Sequence, residues 1–237
     1  MIHFIYPVTD KTRPWSVVNT LAVKLARKHN PDAEIVVWTN KSERVPDIHA
    51  KNIRVRQTTL PDEIRGVKII YPQYVADVFR LQLLSIYGGV YMDTDMLSLQ
   101  PVHQLVEDRL ILSWETAEEK SICNALMLAN PGNAFVDEWL ANMPRALSSP
   151  IWAYGGVVLP MLMVSGPTLW EHRTIMPHTF ACPLDLSKNW MFDPALKEEA
   201  KQKISSDTHA IHVFETYWRD QLNTGNGCLF DELEEHV

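Results

Sequence analysis

The stretch from Gln73 to Asp95 constrains this chain more than any other. Val75, Phe79, Leu83 and Ile86 recur at helical spacing, so a helix is predicted over Gln73 to Tyr87. Gly88-Gly89 stops it, with Gly88 as the expected left-handed cap. An apolar strand, Val90 to Met92, then runs straight into Asp93-Thr94-Asp95. Ligands of α/β sheets bind where strands leave the sheet at their carboxyl ends. Asp93 and Asp95 stand at i and i+2, so on an extended chain their side chains point the same way. Two such carboxylates repel each other, and a hard divalent ion, Mg²⁺ or Mn²⁺, relieves this and bridges the phosphates of a nucleotide. Asp77 and Arg80 are neighbours on one face of a helix that is otherwise nearly all apolar. Buried, they must pair or meet a ligand. The plainer readings are a solvated turn for Asp-Thr-Asp and a structural salt bridge for Asp77 and Arg80.

The rest of the chain reads as α/β. Ile2 to Tyr6 is a buried strand stopped by Pro7. Pro14 opens a helix to about His29 with Val18, Leu21, Ala22 and Leu25 on one face, and Asn30-Pro31-Asp32 ends it. Glu34 to Thr39 and Ile53 to Arg56 follow as strands, a Rossmann-like opening. Further strands are expected at Leu110 to Trp114, Ala125 to Leu128 and Ala210 to Phe214. Helices are expected at Asn133 to Met143 and at Ala153 to Arg173, the latter broken by Ser165-Gly166-Pro167, which reads as a helix N-cap with proline at N1. Asp231 to Glu235 reads as a solvated acidic tail. No repeat or linker divides the 237 residues, so one domain is expected, with halves of about 1–115 and about 116–237.

Composition narrows the function. Net charge is −7, which disfavours a dedicated polyanion binder. No apolar run approaches the roughly 20 residues of a membrane span. The N-terminus has no signal-peptide pattern. The three cysteines, Cys123, Cys182 and Cys228, form no C-x-x-C pair, which argues against a structural zinc site and for buried hydrophobes in a reducing compartment. A soluble, cytoplasmic protein is expected, with peripheral membrane attachment as the alternative.

Ala76-Asp77-Val78-Phe79-Arg80, then Tyr87 through Asp95, then Leu99-Gln100-Pro101 closely resemble the DXD sugar-binding region of glycosyltransferase family 32. Fungal mannosyltransferases and bacterial capsule-type transferases belong to that family, and the glucosylating domains of large clostridial toxins are similar there. His3-Phe4-Ile5-Tyr6 resembles the family's opening His-x-x-Trp strand, with Tyr for Trp. Asn124-Ala125, Ser165-Gly166-Pro167 and Ile211-His212 with Trp218 resemble further family segments. The resemblance implies a GT-A fold with a Rossmann-like mixed sheet flanked by helices, a UDP- or GDP-sugar donor, Mn²⁺ or Mg²⁺, and retention of anomeric configuration.

By the same resemblance, Asp77 and Arg80 hold donor-sugar hydroxyls and phosphate oxygens. Asp93 reaches the ribose and the metal shell, Asp95 is the direct metal ligand, and His212 is a late-chain metal or phosphate contact. Tyr6 borders the nucleobase; Tyr91, Thr94 and Asn124 belong to the donor site; Trp218 sits on a mobile C-terminal lid. Thr216-Tyr217-Trp218 departs from the family's Ser-Trp spacing, and Thr216 is the candidate hydroxyl. The function implied is hexose transfer to a saccharide acceptor in polysaccharide biosynthesis. A protein side chain or a modified nucleic-acid base is the alternative acceptor. A phosphatase or phosphotransferase of the haloacid-dehalogenase type and a non-catalytic transferase-like binding module are the rival classes. Met96-Leu97 after the acids does not fit the phosphatase motif.

Overall fold

Short apolar and β-branched runs become the strands of a mixed sheet. The computed structural model describes every residue except 11, 49, 50, 152, 167, 168 and 236. Its strands are β1 (Ile2–Tyr6), β2 (Ile35–Thr39), β3 (Ile53–Gln57), β4 (Glu63–Ile64), β5 (Val67–Lys68), β6 (Gly89–Met92), β7 (Met96–Ser98), β8 (Leu110–Trp114), β9 (Ile122–Ala129), β10 (Arg173–Met176) and β11 (Ala210–His212). Its α-helices are α1 (Val17–His29), α2 (Pro72–Tyr87), α3 (Ala134–Leu147), α4 (Leu159–Ser165), α5 (Lys197–Lys203), α6 (Glu215–Trp218) and α7 (Leu229–Glu234).

Among the described residues the main sheet has seven strands in the order β10-β8-β9-β6-β1-β2-β3. β6, β1, β2 and β3 run parallel, whereas β9 is antiparallel to both β6 and β8. A separate antiparallel pair joins β7 to β11, Met96 opposite His212. Alternation along each strand sends side chains to two cores. Ile2, Phe4, Ile35, Val37, Val90 and Met92 meet Val18, Leu21, Ala22 and Leu25 of α1 on one face. Ile5, Val36, Trp38 and Tyr91 meet α2 and α3 on the other. The acids after β6 therefore emerge between two buried layers.

Several local expectations are revised. Pro14 precedes α1 rather than opening it; Ser16 is the N-cap and exchanges hydrogen bonds with Asn19 in a capping box. The apolar face of α2 runs through Val75, Val78, Leu81 and Leu84, and Ile86 is 65% exposed. Gly88 has positive φ, as expected of a glycine cap, but with φ 61° and ψ −158° it is not left-handed helical. The segment expected to be helical up to Arg173 instead forms a π-helical turn, Tyr154–Val158, then α4, and Arg173 opens β10. Ser165 is the last residue of α4 and bonds back to the Met161 carbonyl at 2.8 Å, so it caps no helix start. Pro167 lies outside the described residues. β11 stops at His212 because Phe214 takes φ 54°, turning the chain into α6. The acidic C-terminal run is not a plain solvated tail: Asp231 to Glu234 lie in α7, Asp231 accepts the Gly225, Gly227 and Cys228 N–H groups, and Glu232 pairs with Lys197 and Lys201.

The corner at Gly88 ties three elements together. The Trp38 indole N–H can only donate, so His3 Nδ1 accepts it at 3.1 Å and His3 Nε2–H donates to the Gly88 carbonyl at 3.0 Å. Burial pushes the His3 pKa down to about 4, so the ring is neutral. A Cβ on Gly88 would stand 2.5 Å from the Pro131 ring and 2.8 Å from the Ala129 carbonyl oxygen, in a backbone region that only glycine visits readily. Gly88→Ala is expected to destabilise the fold by at least about 2 kcal/mol. Urea unfolding checks this, and an unchanged midpoint would contradict the packing described.

Candidate active site

Asp93-Thr94-Asp95 does not continue β6 as an extended chain. It is a turn, closed by the Met96 N–H on the Asp93 carbonyl at 3.0 Å. The turn, rather than strand alternation, brings the two carboxylates together. Asp93, Asp95 and His212 each offer a ligand atom, all within 4.8 Å of one another.

The two acids have different anchors. Asp93 faces α2: it accepts from the Tyr91 hydroxyl and lies 3.3 Å from Arg80. Asp95 faces the late chain: it accepts the Glu215 N–H at 2.9 Å, and His212 Nε2 lies 3.5 Å away. Phe214, in its left-handed conformation, aims that N–H at Asp95. A bulky residue there is strained and persists only because its surroundings hold it. Burial works against charge on Asp95, yet His212 and the Glu215 N–H hold its pKa below the ordinary carboxylate value. Burial likewise opposes the imidazolium of His212, but Asp95 outweighs it and the His212 pKa rises well above its usual value.

Arg80 is the hub on the other side. Its guanidinium meets Asp77 at 3.2 Å and Asp93 at 3.3 Å, and donates to the Asn124 carbonyl at 2.7 Å and the Ala76 carbonyl at 3.2 Å. It also lies over the Tyr91 ring, 4.4 Å from the centroid. Burial disfavours its charge, but Asp93, Tyr91 and Asp77 together raise its pKa above the ordinary value. Asp77 sits deeper, accepting from the Asn124 amide at 3.2 Å. Gly156, in the π-helical turn, closes over it; a Cβ there would be 3.0 Å from both carboxylate oxygens. Burial dominates and pushes the Asp77 pKa up to about 6.

A cavity of about 330 Å³ opens in front of these groups. Tyr6, Arg80, Tyr91, Asp93, Thr94 and Asp95 line it. Asp77 and Asn124 stand behind Arg80 instead. Trp218 is not on this wall; it packs beside Lys188, Trp190 and the outer side of His212. Tyr6 presents a ring whose hydroxyl donates to the Arg13 carbonyl at 2.7 Å. The opposite rim carries Glu215, Thr216 and Arg219. Asn19 spans the turn and this rim, donating to the Thr94 carbonyl and to Glu215, each at 3.0 Å. Sequence reasoning missed Asn19, Glu215 and Gly156. The Ser16-x-x-Asn19 spacing and the Gly155-Gly156 pair were the available signals, but neither carries an address to a site distant along the chain.

Comparison with known proteins follows this geometry. Residues 16–112 match the family model of the glycosyltransferase sugar-binding region containing a DXD motif. Over those residues the chain is similar to the DXD glycosyltransferases. It is 28% identical over 147 residues to glucan organizing enzyme 1 of Cryptococcus neoformans, covering 58% of this chain and 39% of that protein. It is 26% identical over 127 residues to subversion of eukaryotic traffic protein A of Legionella pneumophila, covering 46% of this chain and 20% of the relative. The chain thus spans well under half the length of these two relatives. An active-site mutant of LgtC superposes over 99% of this chain and 95% of its own, with a TM-score of 0.50 and 14% identity. That likeness is one of fold, and the fold is GT-A. No helix among the described residues is long and apolar enough to cross a membrane.

The Arg80 cluster has a pH signature. Asp77 binds its proton more tightly folded than unfolded, so its contribution to stability falls as pH rises from about 4 to about 6 and is constant above. His3 acts the opposite way in part of this window, so the comparison must be with a variant. Asp77→Asn should gain on the parent by about 3 kcal/mol between pH 4 and pH 6 in unfolding titrations, and parallel curves would refute the buried, proton-holding carboxyl. Arg80→Ala leaves the buried Asp77 and the half-buried Asp93 without their cation and should cost about 3–5 kcal/mol, read as a fall in Tm.

Proposed function

We propose that this chain is a metal-dependent, retaining hexosyltransferase that takes a sugar from a UDP- or GDP-sugar and delivers it to a saccharide acceptor. The observation that carries this reading is the convergence of Asp93, Asp95 and His212, the two acids lining a cavity walled by Arg80 and Tyr6 and the imidazole 3.5 Å from Asp95. Two carboxylates and an imidazole suit Mn²⁺ or Mg²⁺, and it is His212 Nε2 that faces Asp95, at 3.5 Å. A divalent cation on this donor set would offset the negative charge that builds on a departing nucleoside diphosphate.

The chain's own groups supply the rest. Tyr6 offers a ring to border the base, and Thr94 a hydroxyl to the donor. Arg80 is fixed by Asp77, Asp93 and two carbonyls before any ligand arrives, so its charge costs no reorganisation during reaction. Asp77, behind it, holds the guanidinium in place, with Asn124 orienting its carboxyl. Thr216 belongs to the late-chain rim that would cover the bound donor, while Trp218, two residues on in α6, packs away from the cavity. The positively charged sugar ring that forms on bond cleavage can be met from the front face by the acceptor, the departing phosphate accepting its proton. A double displacement would require a carboxylate nucleophile free to attack. Asp93 and Asp77 are both engaged by Arg80, which favours front-face attack. Trapping a covalent glycosyl-enzyme would sink that assignment.

A saccharide acceptor is in keeping with the name of the glucan organizing relative. We take the chain as one unit, donor half about 1–115 and acceptor half 116–237. β8 and β10 from the two halves pair in one sheet, and β7 pairs with β11, which supports this. A cytoplasmic setting rests on three cysteines that form no disulfide.

The test is release of free nucleoside diphosphate from a panel of UDP- and GDP-sugars with Mn²⁺. EDTA should abolish release from the preferred donor, and Asp95→Asn should lower it by about 10²-fold or more in protein that circular dichroism shows to be folded. Equal turnover in Asp95→Asn and the parent would refute the metal assignment.

A further inference from the structure

The region inward of His212 holds a second donor cluster. Cys123, Cys182 and His212 each place one ligand atom within 4.8 Å of the others. Cys123 comes from β9, Cys182 from the loop after Phe180, and His212 from the end of β11. The fold places them together: the His212 N–H bonds the Ala181 carbonyl at 3.1 Å, and the Cys182 N–H bonds the His178 carbonyl at 2.7 Å. Both thiols are buried, and so is Cys228, which stands apart from this donor group as the N-cap of α7.

Two orphaned polar atoms adjoin the group. His212 Nδ1 and Ser113 Oγ are buried with no hydrogen-bond partner. Ser113 is the register partner of Cys123 across β8 and β9, so their side chains share a face. Buried polar atoms without partners are rare, and a bound ion is one of the standard reasons. Two sulfurs and an imidazole form a soft donor set, suited to Zn²⁺ and its thiophilic relatives rather than to Mg²⁺ or Mn²⁺.

We propose that Cys123, Cys182 and His212 form a buried site for one thiophilic divalent cation of the Zn²⁺ class, back to back with the acidic centre and sharing His212 with it. Binding forms two metal–sulfur bonds and one metal–nitrogen bond. The two thiol protons leave to solvent, with the imidazolium proton where the ring is charged, and nothing is oxidised or reduced. Entry is past the His212 and Asp95 side chains, which are 14% and 16% exposed. Ser113 Oγ, opposite Cys123 in the sheet, is a candidate fourth donor. The consequence for the acidic centre rests on the functional reading above. A soft cation on His212 adds positive charge beside Asp95 and holds a ring that Mn²⁺ would use, so the two ions antagonise each other, reciprocally.

Cadmium is the probe. The full chain, kept reduced with a phosphine, is titrated with Cd²⁺ and followed in the ultraviolet, where sulfur-to-metal charge transfer absorbs and oxygen-bound cadmium does not. The expected result is a band saturating at about one equivalent, lost in Cys123→Ser and in Cys182→Ser and retained in Cys228→Ser. Cadmium-113 resonance of the unaltered protein keeps the proposal testable if a variant fails to fold: a shift between the all-oxygen and all-sulfur ranges supports mixed sulfur and nitrogen ligation. No band in the parent, a band surviving in both Cys123→Ser and Cys182→Ser, or an all-oxygen resonance would each overturn the site. Mn²⁺ affinity, read from free-Mn²⁺ paramagnetic resonance, should weaken about tenfold or more once Cd²⁺ is loaded. An unchanged affinity beside an intact band would overturn the antagonism alone. A band with no Mn²⁺ binding at all would overturn the metal reading of the acidic centre and leave the thiol site standing.

Discussion

Arg80 is the interaction on which the site depends. A guanidinium cannot be deprotonated at accessible pH, so once α2 buries it the surroundings must supply charge and acceptors. They do so from three parts of the chain: Asp77 and the Ala76 carbonyl on its own helix, Asp93 after β6, and the Asn124 carbonyl on β9. Each of these contacts fixes something else. Asp93 is held on the turn that also carries Asp95, and Asn124 in turn orients Asp77. One buried cation thus sets the spacing between the helix, the central strand and the antiparallel strand beside it.

The opposite half of the site has no comparable hub. Asp95 is gripped by a backbone N–H and an imidazole, both delivered by a strained turn at Phe214. The two halves differ in how they would respond to a ligand. The Arg80 side is saturated with partners before any ligand arrives, whereas the His212 side retains a ring nitrogen without a hydrogen bond. Rearrangement on binding is easier where contacts are fewer.

Much of the fold was legible because it rests on local pattern. β1 and the α1 and α2 helices follow from apolar periodicity and from Asn30 and Gly88-Gly89 as stops. Asp77, Arg80, Asp93 and Asp95 stood out because charges in an apolar setting demand an explanation. What failed had other causes. Ile86 fits the helical spacing of α2 yet faces solvent, since period alone does not fix which face is covered. The π-helical turn at Tyr154 and the end of β11 at Phe214 depend on packing and on a positive φ that no residue type announced. The partnership of Cys123 with Cys182 was invisible, because nothing in a spacing of that length reports proximity, and the absence of a C-x-x-C pair pointed away from it.

Asn19 links helix capping to the site. Its side chain accepts the Ser16 N–H in the capping box of α1 while its amide donates to the Thr94 carbonyl and to Glu215. Fraying of the first turn of α1 therefore releases the turn between the two acids and the late-chain rim together. These segments form one opening unit, and their amide hydrogens should exchange with solvent at a common rate even though they are far apart along the chain.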